Sequence, residues 1–179
     1  MKNWRSLTVP LSIQDRLKLR CGDKVLLSGC IFTGRDMAHQ RLVEVIRKKR
    51  KLPLSLKDRF LYYVGPTPAP RGKIIGACGP TTSSRMDGFT PELLKIGLKA
   101  MLGKGERSPE VRQAIKRYRA VYFVTIGGAA ALLSKCVAEA RVVAYPDLGP
   151  EAIFCLKIKN LPAIVAIDSR GTDIFERKK

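Results

Sequence analysis

The sequence predicts an α/β fold, and three observations carry that prediction. Apolar, strand-like runs alternate with segments of helical period, glycine- and proline-rich turns separate them, and two segments carry paired helix-start signals. A strand-rich C-terminal part argues against a simple doubly wound sheet. The 179 residues, 45% of them hydrophobic, can bury one sizeable core, which predicts a single domain over residues 1–179.

Taken in order, the first twenty residues contain Pro10 among mixed polar and apolar positions and read as irregular or short extended chain. Gly22-Asp23 is a turn, and the apolar run Val25 to Phe32 is a buried strand. Thr33-Gly34-Arg35-Asp36 ends it. Ala38, Leu42, Val43, Val45 and Ile46 then recur at near-helical spacing, with the basic run Arg47 to Lys51 at the helix end, where cations suit the dipole.

Phe60 to Val64 is a second strand, stopped by Gly65-Pro66, and Pro66 to Arg71 forms a stiff connector because proline fixes its own backbone. Lys73 to Cys78 reads as a third strand leading into a loop, Gly79 to Gly88, dense in hydroxyls. Two helices follow, with Thr90 and Ser108 as N-caps and Pro91 and Pro109 at the first helical positions. Between them Gly103 to Arg107 is a flexible turn presenting Lys104. Ala120 to Ile126 is a strand, Gly127-Gly128 a turn, and an Ala-rich helix runs to about Ala138. Short strands near Arg141 to Ala144, Ile153 to Ile158 and Ala163 to Ile167 close the chain.

The formal charge of +19 turns attention to anionic partners: nucleic acid, an acidic protein surface, or small carboxylates. Five cysteines without a C-x-x-C pair, and a single histidine, argue against a zinc or cluster site made by this chain alone. The odd, irregular cysteine count and the lack of a secretory pattern point to a reducing cytoplasm, with the thiols as small core residues. The longest uncharged stretch, Ala120 to Ser134, falls short of a membrane span.

Three loops combine glycine, hydroxyl and basic side chains where strands end or helices meet, the places where open α/β sheets bind ligands. The first offers Arg35 and His39, the second Thr81 to Arg85, the third Lys104. Two arginine forks and a mobile lysine suit a dicarboxylate. Each feature also has an ordinary structural reading: Arg35-Asp36 as a capping pair, the hydroxyls as turn bonds, His39 as a satisfied core histidine. The second loop lacks the G-x-x-x-x-G-K-[ST] spacing of a nucleotide site. Against a nucleic-acid-binding module, the G-x-x-G at Gly76-Ala77-Cys78-Gly79 lies at a strand end rather than between helices, and no aromatic stacking pattern is present.

The residues themselves carry a family resemblance. Ser28 to Arg41 is similar to the S-G-x-x-x-T-x-R-D-x-A-H-x-R pattern of class I, iron-sulfur-dependent fumarases and L-tartrate dehydratases. Gly79-Pro80-Thr81-Thr82-Ser83-Ser84-Arg85-Met86-Asp87 resembles that family's G-P-T-T-x-x-R-M signature, with Ser83-Ser84 in place of smaller residues, and Met101 to Gly105 resembles its lysine turn. Further similar stretches are Ile126 to Ala130, Tyr145 to Ile153 and Asp168 to Asp173, all in the family's order.

The resemblance implies a swivelling β/β/α domain acting as the β subunit of a two-subunit hydro-lyase. A larger α subunit would hold a [4Fe-4S] cluster through three cysteines, with the pair assembling into a heterotetramer or more. The implied reaction is reversible hydration of fumarate to malate, or the dehydration of L-tartrate to oxaloacetate, with iron as a Lewis acid. By motif, Thr81 is the implied proton-transfer residue and Arg35, Arg85 and Lys104 the carboxylate binders. His39, Asp36 and Thr82 form a second tier, and no metal ligand is implied in this chain.

Overall fold

A computed structural model describes residues 4–125 and 129–176. In chain order the elements are β1 (Arg5–Val9), α1 (Ile13–Lys18), β2 (Lys24–Thr33), α2 (Asp36–Arg47), β3 (Phe60–Tyr62), α3 (Thr90–Lys95), β4 (Ala100–Gly103), α4 (Pro109–Tyr118), β5 (Val121–Val124), α5 (Ala130–Ser134), β6 (Val137–Ala144) and β7 (Ile153–Ile167). Two 3₁₀ segments, Ser83–Met86 and Pro146–Glu151, complete them.

The α/β expectation holds, with a specific architecture. Strands β2, β3, β4 and β5 are parallel neighbours, and β7 runs antiparallel to both β5 and β2. The five strands therefore close on themselves as a small barrel-like sheet. β1 extends it beside the first half of β2, and β6 beside the start of β7.

Side-chain alternation at period two divides the core. Val25, Leu27, Ile31, Phe60, Tyr62, Leu102, Phe123, Leu156 and Val165 belong to one buried cluster, within the closed sheet. The alternate positions Leu61, Tyr63, Met101 and Tyr122 face outward, where Leu42 and Val43 of α2, Leu93 and Leu94 of α3, and Val111 and Ile115 of α4 cover them. The helices amount to crossovers between successive parallel strands, so β2 to β5 all end at the same rim.

Several expectations need correction. The N-terminal segment is short and extended in part, as β1 beside β2, but it also forms a helix that was not expected, α1, capped by Ser12, which accepts a hydrogen bond from the Asp15 amide at 3.0 Å. Lys73 to Cys78 is not a strand. Both edges of β3 are taken by β2 and β4, and the segment folds back instead on Thr67, whose Oγ1 accepts from the Ala77 amide at 2.7 Å.

Thr90 is not an N-cap, since its hydroxyl donates to the Met86 carbonyl and accepts from Arg107, whereas Ser108 caps α4 as expected. The supposed turn at Gly103 begins as β4, a buried strand lying between the two helices. The Ala-rich helix stops at Ser134, and Val137 starts β6 because its side chain is drawn into the inner cluster.

The last two expected strands are one, β7, bent where Asn160 adopts a left-handed conformation. The Asn160 amide donates to Ser28 Oγ at 2.9 Å across that bend. Among the cysteines only Cys78 is fully buried, with Cys30 exposed and the rest intermediate, so the expectation of core thiols fails for four of the five. The Gly127-Gly128 turn lies outside the described residues. No helix among the described residues is long and apolar enough to cross a membrane.

Gly29 marks a point where two strands approach closely. Its φ is +126°, and a Cβ there would sit 2.2 Å from the Val9 carbonyl oxygen. Gly29→Ala must therefore both strain the backbone and push β1 off β2. We expect a loss of about 1–3 kcal/mol in urea unfolding, with an unchanged denaturant slope.

Candidate functional site

Each of the three loops that carry the site leaves the carboxyl end of a parallel strand. After β2, the Gly34 amide donates to the Tyr62 carbonyl at 3.0 Å, and Arg35 is held extended before α2 begins at Asp36. After β3, the chain turns at Gly65. After β4 comes Lys104. These three strands are adjacent, so the loops share one rim.

The hydroxyl-rich loop is laid across that rim by backbone bonds. The Thr81 amide donates to the Tyr63 carbonyl at 2.7 Å, and the Ser83 amide to the Lys104 carbonyl at 2.9 Å. Thr82 and Lys104 form a parallel bridge, and the Lys104 amide donates to Ser83 Oγ at 3.1 Å. Ser83 is fully buried, and its hydroxyl also lies 2.8 Å from the Tyr122 hydroxyl. The serine that replaces a smaller residue thus has a structural task, joining this loop to β4 and β5.

Asp36 binds the Arg85 fork through two bonds, to Nε at 3.0 Å and Nη2 at 2.8 Å. Arg35 is three-quarters covered, with Nη2 3.5 Å from Glu151 and Nε 3.8 Å from Asp36. Glu151 in turn accepts the Met37 amide at 2.9 Å, at the positive end of α2. Gly65 leaves the space that the arginine fills: a Cβ there would lie 2.8 Å from Arg35 Cδ and 2.9 Å from Nη1. Lys104 is half-buried and has no carboxylate partner among the described residues.

Beneath the rim, the buried Arg107 pairs with the mostly covered Asp87. Its Nε donates to Asp87 at 2.7 Å and its Nη2 to Thr90 at 2.8 Å, while the guanidinium covers the rings of Tyr63 and Tyr122. Asp87 also accepts the Ser108 amide at 2.7 Å. This pair ties the end of the hydroxyl-rich loop to the start of α4.

The structure thus brings Arg35, Asp36, Thr81, Thr82, Arg85 and Lys104 to one rim. His39 lies apart from them. It is fully buried beneath Arg35, edge-on to Tyr63, and its Nδ1–H donates to the Arg35 carbonyl at 2.8 Å, which leaves Nε2 as the free nitrogen. Burial pushes its pKa down from 6.5 to about 4, so the ring is neutral and acts as a prop for Arg35.

Glu151, Asp87 and Arg107 were not singled out by sequence reasoning, and Ser83, named there as a loop hydroxyl, proves to be a buried structural one. Glu151 and Asp87 sit inside quoted motif stretches, but nothing local distinguishes them from surface acids. Arg107 resembles any solvated turn cation until its burial is known.

Chemically, the rim offers three cationic side chains, Arg35, Arg85 and Lys104, on the same side of the sheet as the partly covered Thr81, which suits binding of a small polyanion. It is an open face. Two apolar grooves, one lined by Ile74, Ala131 and Val137 and one by Pro66, Val142 and Phe154, include none of Arg35, Thr81, Arg85 or Lys104. Among the described residues no three His, Cys, Asp or Glu side chains gather as metal ligands, and burial holds the Cys78 thiol protonated, with its pKa pushed up to about 12. These residues do not fit an iron-sulfur cluster of their own.

Comparison with known proteins follows the same order of residues. The family model described as fumarase C-terminus matches residues 6–178. The anaerobic class I fumarate hydratase of Escherichia coli (strain K12) is 40% identical over 157 residues, which is 86% of this chain and 28% of that protein. The putative L(+)-tartrate dehydratase subunit beta of Methanocaldococcus jannaschii is 38% identical over 172 residues, covering 93% of this chain and 88% of that subunit. The L(+)-tartrate dehydratase subunit beta of Escherichia coli (strain K12) is 32% identical over 178 residues, covering 97% and 87%. The chain therefore spans under a third of the length of the fumarate hydratases it matches and most of the length of the tartrate dehydratase subunits.

The buried histidine makes stability depend on pH in a defined direction. Its folded pKa is depressed, so between about pH 6.5 and pH 4 the unfolded chain takes up a proton that the folded chain does not. Stability contributed by neutral His39 is complete above that window and is lost as pH falls through it, by about 3 kcal/mol at the acid end. Urea midpoints at near-neutral and acid pH should show a steeper fall for wild type than for His39→Phe.

Proposed function

We propose, from the premise that this chain belongs to the fumarase C-terminus family, that it is the β subunit of a two-subunit hydro-lyase acting on a four-carbon dicarboxylate. The observation that carries the proposal is the convergence of Arg35, Thr81, Arg85 and Lys104 on one uncovered rim. Such a site has the cations for two carboxylates but no wall opposite them. The match to tartrate dehydratase beta subunits over most of their length supports the separate-subunit reading.

In this reading Arg35 and Arg85 receive the substrate carboxylates. Their forks are already oriented by Glu151 and Asp36, so little side-chain freedom is lost on binding. Lys104 adds a positive charge where the intermediate gathers negative charge. Thr81 exchanges the proton at the carbon next to the carboxylate. A threonine hydroxyl is a weak base, and the surrounding cations favour its alkoxide. Thr82 and His39 act through the backbone, positioning Lys104 and Arg35.

The iron-sulfur cluster belongs, in this proposal, to an α subunit that supplies three cysteines and closes the open face. The two chains would form a heterotetramer or a larger assembly in the reducing cytoplasm. We assign this chain as one domain, of the swivelling β/β/α kind, over residues 1–179. Fumarate is the first substrate, hydrated to malate. L-tartrate, dehydrated to oxaloacetate, is the second, on the strength of the two subunit matches.

Anaerobic co-expression with the neighbouring reading frame, followed by assays on malate, fumarate and tartrate, tests the reading. The chain alone should show no turnover and gain it with the α subunit; turnover by the chain alone defeats the proposal. In the assembled enzyme Thr81→Ala should lower kcat by about 10²–10⁴-fold with an unchanged unfolding curve. Arg85→Lys should raise KM by roughly tenfold or more, because a point charge replaces the fork. Full turnover in Thr81→Ala would remove the threonine from the proton-transfer role.

A further inference from the structure

We infer that the outer face of the loop spanning residues 66–78, together with the two grooves that flank Ile74, is the docking surface for an acidic partner chain, the α subunit of the preceding proposal. The inference rests on that reading and locates the contact.

The loop is bounded at both ends by the site. It departs from Gly65, against which Arg35 packs, and returns through Gly79-Pro80 to Thr81. A partner that covers the rim must meet it. The loop is also preorganised: Pro66, Pro68 and Pro70 restrict its backbone, the Thr67 amide donates to the Ala77 carbonyl at 3.1 Å, and the Cys78 amide donates to Ala130 at 3.2 Å.

Its outward side is apolar at the centre. Ile74 is 54% exposed and Val142 of β6 is 44% exposed. One groove beside Ile74 is floored by Ala131 and Val137, the other by Val142, Pro150 and Phe154. Apolar surface of this kind beside a ligand site marks an interaction surface.

The rim of the patch selects the partner. Arg71, Lys73, Lys135 and Arg141 are all exposed around it, and none has a carboxylate partner among the described residues. Glu139, the acid nearest in sequence to Arg141, is paired with Lys157. A second copy of this chain would bring the same cations against each other in a two-fold contact, with +19 on each chain. Nucleic acid would leave the apolar centre without a matching surface, since Ile74 and Val142 are aliphatic and the aromatic Phe154 lies half-buried on the floor of a groove. An acidic-rimmed protein surface with apolar side chains at its middle satisfies both features.

The test is the affinity between the purified chain and the α subunit, measured by sedimentation velocity and titration calorimetry. Ile74→Asp combined with Val142→Asp should weaken association by about tenfold or more while the circular dichroism of the free chain is unchanged. Ile13→Asp, at an exposed apolar residue on α1, should leave affinity unaltered. Should the double variant misfold, Lys73→Glu with Lys135→Glu serves instead, with the same expected loss and a reduced salt dependence. A complex that forms normally with both pairs of substitutions overturns the surface while leaving the β-subunit reading intact. A wild-type chain that binds no α subunit overturns both. Self-association dissolved by Ile74→Asp would identify a second copy as the occupant and overturn the assignment to an acidic partner.

Discussion

The antiparallel pairing of β7 along β2 is the constraint on which the rest depends. It joins residues more than a hundred positions apart, from Lys24 with Ile164 to Phe32 with Cys155. Through it the parallel set β2 to β5 becomes a closed sheet. Closure removes the edges that an open sheet would expose and gives the inner residues a dry interior. It also fixes the directions of the parallel strands, so the segments following β2, β3 and β4 emerge at one place. The site is a consequence of that geometry, because no two of its loops are neighbours in sequence.

Charge is arranged in layers at this rim. At the surface Arg35 and Arg85 are each tethered by a carboxylate, Glu151 and Asp36, and remain partly open to a ligand. Below them lies Arg107, buried and paired with the mostly covered Asp87, and bonded to Thr90 as well. A buried ion pair is a weak source of net stability, since desolvating both charges offsets most of their attraction. Removing one partner is costly all the same. The buried pair is therefore better understood as fixing how the Thr81 loop meets α4 than as a source of stability. His39 supports the same layer from the side, as a neutral ring on the backbone of Arg35.

The family assignment and the open rim bear on each other. The chain matches under a third of the length of the fumarate hydratases, yet most of the length of the tartrate dehydratase subunits, and the proposal of a shared site draws on that difference. In the same proposal the rim that carries Arg35, Thr81, Arg85 and Lys104 is the face to be covered. The strong positive charge has a related reading, as a long-range attraction both for a dianion and for an acidic partner.

By itself the sequence determined the alternation of strand and helix, the strands around Val25 to Phe32 and Phe60 to Val64, the Ser108 cap, and the placing of Arg35, Thr81, Arg85 and Lys104 in loops. Each of these rests on signals within a few residues: apolar period, glycine and proline turns, a serine before proline. Only the tertiary structure decided which apolar runs find a strand partner. Lys73 to Cys78 has the composition of a strand but no free edge to join, because β2 and β4 flank β3. Gly103 to Arg107 reads as a turn between two helices, yet its first residue belongs to β4, Ala100–Gly103, which fills that edge. Val137 was assigned to a helix and is claimed by β7. Glu151 and Arg107 gain their roles from contacts made 116 and 20 residues away, with Arg35 and Asp87. The physical reason is common to all of these: hydrogen-bonding edges and buried charge partners are supplied by distant segments, and short-range pattern carries no record of them.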